Sequence, residues 1–373
     1  MTRRFRHNFS PRWQGTHGHH SIELTTTEIA EAAIREIVQI GLTTVPFDLF
    51  VEQLLVPLDR WFRWIQPLGH VRETKTALSG LFGRFVARAY LTRYLGFRHF
   101  EPIRSDTQHL QSWPNFTVRR RAPGDLPDWL AASAAGANDI AIAEAKGSHN
   151  RSGPGPSLAA ALRQVNRIDV LAGRRTLRLK RYAIATRWAI YQDAHLIDPW
   201  LVVQDPDEGE REPSAEELRL LKRSIALGHF GALAEGFGLK RAAEALRQAK
   251  NAEPGNLQIE LSEFTRVQTS DGTTKIMAAA FVTPAGLMQV PNTDVEEFRS
   301  ALRTVYGQKT LLFGFDIQLL KELDAIWDTG AAVTATPEEP PLDRSFWEEA
   351  AVGRDGSQLI PLEAVSLSRI LPT

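Results

Sequence analysis

The 373-residue chain contains no cysteine, which excludes disulfide scaffolds, thiol nucleophiles and Cys-ligated zinc or iron–sulfur centres. No apolar run approaches the ~18 residues that a membrane-spanning helix needs; segments such as Ile276 to Val282 are far shorter. No apolar stretch follows Arg3, Arg4 and Arg6, so the sequence predicts no secretory signal and a cytoplasmic location. Gly-rich phosphate loops of the nucleotide-binding type are also missing, so nothing indicates that the chain uses ATP or GTP. Net charge is absent too, with 44 Lys+Arg against 44 Asp+Glu.

What is present is globular material, 43% apolar and 24% charged, long enough for two or three domains of ~150 residues. The neutral total hides a strong asymmetry. Residues 60–200 carry 22 Lys+Arg and 10 Asp+Glu, whereas residues 201–373 carry 17 and 27, and residues 1–59 carry 5 and 7. Association responds to the local field, so a basic middle region suits a polyanionic partner such as nucleic acid.

Hydrophobic periodicity divides the chain into four parts. Residues 1–70 read as an irregular N-terminus followed by helices, one from Thr27 to Gly41 and another from about Pro46 to Trp64. Residues 71–203 open on a long helix over 75–96, with Leu78, Leu81, Phe82, Phe85 and Ala89 on one stripe and Arg84 and Arg88 on the other side. Short strands follow over 116–118, 127–131 and 139–146. A helix capped by Ser157 is expected to run to Gly173, and a strand to cover 181–190. The fold class is therefore α/β, with a central mixed sheet flanked by helices.

The acidic run 204–213 reads as a solvated linker. Residues 214–333 read as a smaller α+β domain. It begins with a Ser214/Glu217 capping box, continues with a hairpin turning at Asp271-Gly272, and ends in helices over 295–327. Residues 334–373 read as a Pro/Glu-rich linker and a short tail.

The informative segment is Pro127-Asp128, sixteen residues before Glu144-Ala145-Lys146. On a strand, Glu144 and Lys146 share a face with Ile140 and Ile142, while Ala141, Ala143 and Ala145 leave the opposite face open to a close-packed helix. A hairpin can bring the Asp128 carboxylate beside Glu144. Two clustered carboxylates repel unless a cation joins them, and oxygen ligands suit Mg²⁺ or Mn²⁺. A lysine beside such a metal opposes the negative charge that builds on a phosphorane and orients the attacking water. The bland reading of the same residues is an exposed Glu–Lys pair on a strand.

These residues, Pro127-Asp128 with Glu144-x-Lys146, resemble the core of the PD-(D/E)XK nuclease superfamily, the restriction endonuclease-like fold, over roughly residues 75–190. The resemblance implies a Mg²⁺-dependent endonuclease acting on DNA, in roles such as restriction or phage defence. It makes Asp128, Glu144 and the backbone of Ala145 the metal ligands, with Lys146 as the catalytic cation and Gln164 as a further polar residue of the site. Two positions depart from the pattern. Many members carry Gly-Glu on the first core helix where this chain has Gly83-Arg84, the nearest acid on that helix being Glu73. Some members have Tyr four residues after the Gln, where this chain has Ile168.

Arg119, Arg120, Arg121, Arg151, Arg163 and Arg167 are candidates for contacting nucleic-acid phosphates. Asp125 is a weaker rival to Asp128, and Asp139 reads as a turn residue. His7, His17, His19 and His20 are a conceivable metal cluster that reads better as a polar, mobile terminus. The acidic C-terminal part suits a protein partner or a second copy of the chain. The competing reading of the whole is a catalytically inactive nucleic-acid-binding or assembly protein on the same fold.

Overall fold

The computed structural model describes residues 1–9, 17–42, 54–57, 59–66, 71–112, 114–133, 140–149, 153–191, 198–253, 255, 257–291, 294–329 and 351–370. The chain divides into two compact units, Met1–Glu36 with Asp48–Ile225, and Ile37–Phe47 with Ala226–Thr373. The divisions fall inside helices α1 and α4, defined below.

The first unit contains β1 (Thr2–Phe9), β2 (His17–Thr25), the start of α1 (Thr26–Gln39), β3 (Arg63–Trp64), α2 (Arg72–Leu95), β4 (Phe97–Pro102), β5 (Thr107–Gln111) and β6 (Phe116–Arg120). It continues with β7 (Trp129–Ser133), β8 (Ile140–Ser148), α3 (Gly155–Val165), β9 (Ile168–Ala172), β10 (Arg175–Thr176), β11 (Leu179–Arg187), β12 (Ala189–Ile190), β13 (Trp200–Gln204), β14 (Asp207–Glu208) and the start of α4 (Ala215–Gly236). An eight-stranded mixed sheet runs β2-β1-β13-β11-β8-β7-β4, with β14 paired to β11. The β8–β11 and β1–β13 pairs are parallel and the others antiparallel. A smaller antiparallel sheet, β10-β9-β6-β5, accompanies it. The α/β class with a mixed sheet is as the sequence predicts.

Strand β8 organises this unit because its two faces differ. Ile140 and Ile142 pack in one apolar cluster with Ala161 and Val165 of α3 and with Phe116, Val118, Ile168 and Val170 of the smaller sheet. The opposite face, lined by Ala141, Ala143 and Ala145 and ending at Gly147, receives α2. A Cβ on Gly83 would lie 2.6 Å from the Gly147 nitrogen, and one on Gly147 would lie 1.8 Å from the Ser79 carbonyl oxygen. Only glycine at both places allows this approach of helix to strand.

The second unit contains the ends of α1 and α4, then α5 (Lys240–Ala249), β15 (Thr265–Thr269), β16 (Thr274–Thr283), β17 (Gly286–Gln289), α6 (Val295–Tyr306), β18 (Leu311–Asp316) and α7 (Ile317–Thr329). Strands β19 (Ala351–Val352), β20 (Gln358–Pro361) and β21 (Val365–Arg369) complete it. Its seven-stranded antiparallel sheet runs β19-β20-β18-β16-β15-β21, with β17 on β16. Buried His229 links elements of this unit, its Nε2 3.0 Å from Asp355 Oδ2 and its Nδ1 2.8 Å from Gln39 Nε2. No helix among the described residues is long and apolar enough to cross a membrane.

Several expectations need correction. The N-terminus is a hairpin in the main sheet. Its inward positions are Arg3, Phe5 and His7, so polar residues conceal the strand alternation; Arg3 donates to the Val56 and Asp59 carbonyls, and His7 meets the Tyr90 hydroxyl. The helix expected over 46–64 is not helical at 54–57 or 59–64, and 43–53 lie outside the described residues. Its apolar residues Phe62 and Trp64 instead pack with Phe82 and Trp188.

The helix expected from Ser157 to Gly173 starts at Gly155 and stops at Val165; β-branched Ile168 and Val170 belong to strand β9. The acidic stretch 204–213 is tied down and is no free linker: Asp205 and Asp207 pair with buried Lys180, and Glu208 pairs with Arg121. The helices expected over 295–327 are interrupted by central strand β18, and the short tail supplies three strands of the second sheet. The capping box forms as read: Ser214 N–H donates to Glu217 at 2.8 Å, and Glu217 N–H donates to Ser214 Oγ at 3.2 Å.

Candidate active site

Strand β7 pairs with β8 up to Trp129 opposite Ala143, so the next facing pair is Asp128 and Glu144. Beyond the last ladder bonds, the side chains take over. Asp128 N–H donates to Glu144 Oε2 at 3.0 Å, and Ala145 N–H donates to Asp128 Oδ2 at 2.9 Å. In an extended strand the N–H and C=O of one residue point to the same edge, so the Ala145 carbonyl faces the Asp128 side. Lys146 Nζ lies 2.5 Å from Glu144 Oε1. The structure thus brings Asp128, Glu144, Ala145 and Lys146 together at one end of the sheet.

Gln164 is placed one step away. Its Nε2 donates to the Leu126 carbonyl, so it fixes the approach to Asp128 without touching the carboxylates. Arg120 pairs with Asp106, Arg121 pairs with Glu208 and Asp169, and Arg167 donates to the Asp125 carbonyl. Arg119 and Arg163 are exposed. Arg151 and Asp139 lie outside the described residues.

Sequence reasoning missed a buried network beside these residues. Arg84 of α2 donates to Asp128 Oδ1 and, through Nε at 2.7 Å, to Glu36 Oε1. Glu36 of α1 is fully buried, and its Oε2 accepts from Arg88 at 3.0 Å and from Trp129 Nε1 at 2.9 Å. The Arg84 guanidinium also lies over the Trp129 ring, 5.0 Å from its centre. Arg84 and Arg88, which the sequence places off the apolar stripe of this helix, therefore face buried acids. The available signal was Glu36 itself, an acid embedded in the apolar stripe Ile29, Ala33 and Ile37 of α1.

The electrostatics separate the three acids. Burial pushes Glu36 up, but the charges of Arg84 and Arg88 outweigh it and hold this carboxyl below its usual range. Burial is also the largest influence on Glu144, and the adjacent Asp128 charge adds to it, so Glu144 stands well above an ordinary carboxylate despite Lys146 and Arg84. Asp128 is raised by burial as well, against the opposing pull of Arg84. Past the strand end, burial followed by the charges of Lys75 and Arg187 lowers His149 to about 4; its Nδ1 is 2.7 Å from Ser79 Oγ.

A raised carboxyl pKa makes the folded state lose stability as pH rises through it, because the unfolded chain gives up that proton more readily. Glu144→Gln is therefore expected to melt a few degrees above the parent at pH 8. That advantage should shrink toward pH 5, where the parent carries its proton; a series of melting curves across this range checks it.

No family model, no curated protein and no solved structure matches this chain. The site must be read from its own chemistry. Among the described residues, no cluster of three or more His, Asp or Glu side chains is placed to hold a metal. The oxygen donors at the sheet end are two carboxylates and a backbone carbonyl, a set that suits a hard divalent ion retaining several waters. Glu144 Oε1 is buried and lies against the Lys146 ammonium, so this oxygen already faces a cation. The donor chemistry fits Mg²⁺ or Mn²⁺.

Proposed function

We propose that the chain is a divalent-metal-dependent nuclease that hydrolyses phosphodiester bonds, in DNA first of all, from a restriction endonuclease-like core. The observation that carries this reading is the clasp at the end of β7 and β8. There Asp128 and Glu144 hold each other's strand through backbone N–H groups while Lys146 lies against Glu144.

Asp128, Glu144 and the Ala145 carbonyl would hold the metal, which supplies the charge that activates a water and polarises the phosphoryl group. Lys146, one third exposed, is positioned to offset negative charge on the phosphorus oxygens and to orient the attacking water. Gln164 keeps Leu126, and with it the approach to Asp128, in place. Exposed Arg119 and Arg163 are available to the phosphate backbone outside the reacting group.

The second reading, a nucleic-acid-binding or assembly protein without catalysis, is favoured by one observation: Arg84 already occupies an oxygen of Asp128. Incubation with plasmid, linear and single-stranded DNA and with RNA, in Mg²⁺, Mn²⁺ or EDTA, decides between them. The nuclease reading expects metal-dependent product that is lost in Asp128→Asn. Salt-sensitive binding with no product under any condition would support the binding protein and overturn the nuclease.

A further inference from the structure

The clasp is not an open pair of carboxylates. Among the described residues, an unbroken series of ion pairs runs from Arg88 to Glu36, from Glu36 to Arg84 and from Arg84 to Asp128, with the Glu144–Lys146 pair beside it. Three acids thus face three cations.

The two cations next to the clasp differ in freedom. Lys146 is on a flexible stem with a third of its side chain exposed. Arg84 is held: its Nε is bonded to Glu36, which is itself fully buried and fixed by Arg88 and by the indole of Trp129. Stacking over Trp129 fixes the plane of the guanidinium. Leaving this place would take one of two cations from a fully buried carboxylate, which is costly.

We infer that Arg84 is an internal counter-ion that competes with the divalent cation for Asp128, so that the metal binds firmly only together with an anionic phosphodiester. The inference rests on the nuclease reading above. A divalent ion entering alone meets a fixed positive charge on one of its own ligands, and in a partly buried site that repulsion is weakly screened. A phosphodiester brings a negative charge to the same place and offsets it. Arg84 is thus a positioning residue that couples metal binding to substrate binding, a linkage that is reciprocal.

Mn²⁺ binding to the full chain, followed by the loss of its free-ion electron paramagnetic resonance signal, tests this. It would be measured with and without a phosphorothioate-linked DNA duplex. The wild type is expected to bind Mn²⁺ weakly alone and at least about tenfold more tightly with the duplex. Arg84→Gln is expected to bind Mn²⁺ about tenfold more tightly than wild type without DNA, and to gain less from the duplex. Arg84→Lys, which keeps the charge, is expected to stay with the wild type.

The double variant Glu36→Gln/Arg84→Gln removes one acid and one cation together, so the remaining acids Asp128 and Glu144 still balance the cations Arg88 and Lys146. It is expected to match the single one, which keeps the test valid if Arg84→Gln does not fold. Circular dichroism establishes that each protein is folded. Equal Mn²⁺ affinity in wild type and both glutamine variants, or Arg84→Lys behaving as Arg84→Gln, would overturn the inference while Mn²⁺-dependent cleavage by wild type left the nuclease standing. No Mn²⁺ uptake with duplex and no cleavage would remove both.

Discussion

Gly147→Ala is expected to destabilise the first unit by about 3 kcal/mol or more, lowering its melting temperature by roughly 10 °C. The added methyl would be placed 1.8 Å from the Ser79 carbonyl oxygen. That oxygen belongs to the backbone of α2, so no rotamer change relieves the overlap. Either the helix moves off strand β8 or the strand bends, and both disturb the contact that carries Arg84 toward Asp128. Gly83→Ala is expected to act in the same direction, because its methyl would lie 2.6 Å from the Gly147 nitrogen. Gly80→Ala in the same helix is the control: nothing lies within 4 Å of its Cβ, so it is expected to be neutral or to stabilise by about 0.5–1 kcal/mol through helix propensity. Thermal melts of the three variants suffice. A Gly147→Ala protein as stable as its parent would refute the close approach of α2 to β8.

How much of this was legible in the sequence depends on how local each signal is. The alternation from Ile140 to Lys146 states which side chains share a face, and the alanines and Gly147 mark the face that a helix approaches. Asp128 opposite Glu144 then follows from strand register, because a hairpin ladder that ends at Trp129 and Ala143 continues to that pair. The Ser214/Glu217 box is equally local and forms as read.

Glu36 and Arg84 are a different case. Each lies on its own helix, 48 positions apart, and neither helix states which element it will meet. An arginine on α2 looks solvated until an acid from α1 is packed against it. The same holds for β1, where buried Arg3 and His7 find partners at residues 56, 59 and 90. Buried polar positions satisfied from distant chain segments erase the apolar pattern that sequence reading relies on. Strand β18 failed for the opposite reason, since Leu311-Leu312-Phe313 is an unbroken apolar run whose period cannot separate a central strand from a helix.

If the chain is the nuclease proposed above, Lys146→Ala is expected to lower the cleavage rate by about 10³-fold while DNA affinity at fixed salt changes by less than about threefold. The reason lies in where the charge acts. Lys146 contacts Glu144 and is one third exposed, whereas the exposed arginines Arg119 and Arg163 lie outside the clasp and are left untouched. Removing the ammonium takes a positive charge from the place where a pentacoordinate phosphorus would gather negative charge, and leaves the exposed arginines intact. The variant also has a pH signature. Lys146 is the strongest of the influences that hold Glu144 down against burial and the Asp128 charge, so without it the carboxyl rises further. A raised pKa moves the ionised fraction toward higher pH, and the residual activity of Lys146→Ala should therefore peak at more alkaline pH than the parent. A single-turnover assay from pH 6 to 9, run beside a filter-binding titration, reads both effects. A uniform fall in rate and binding together would show that Lys146 only attracts DNA, and would take from it the role of charge stabiliser at the reacting phosphate.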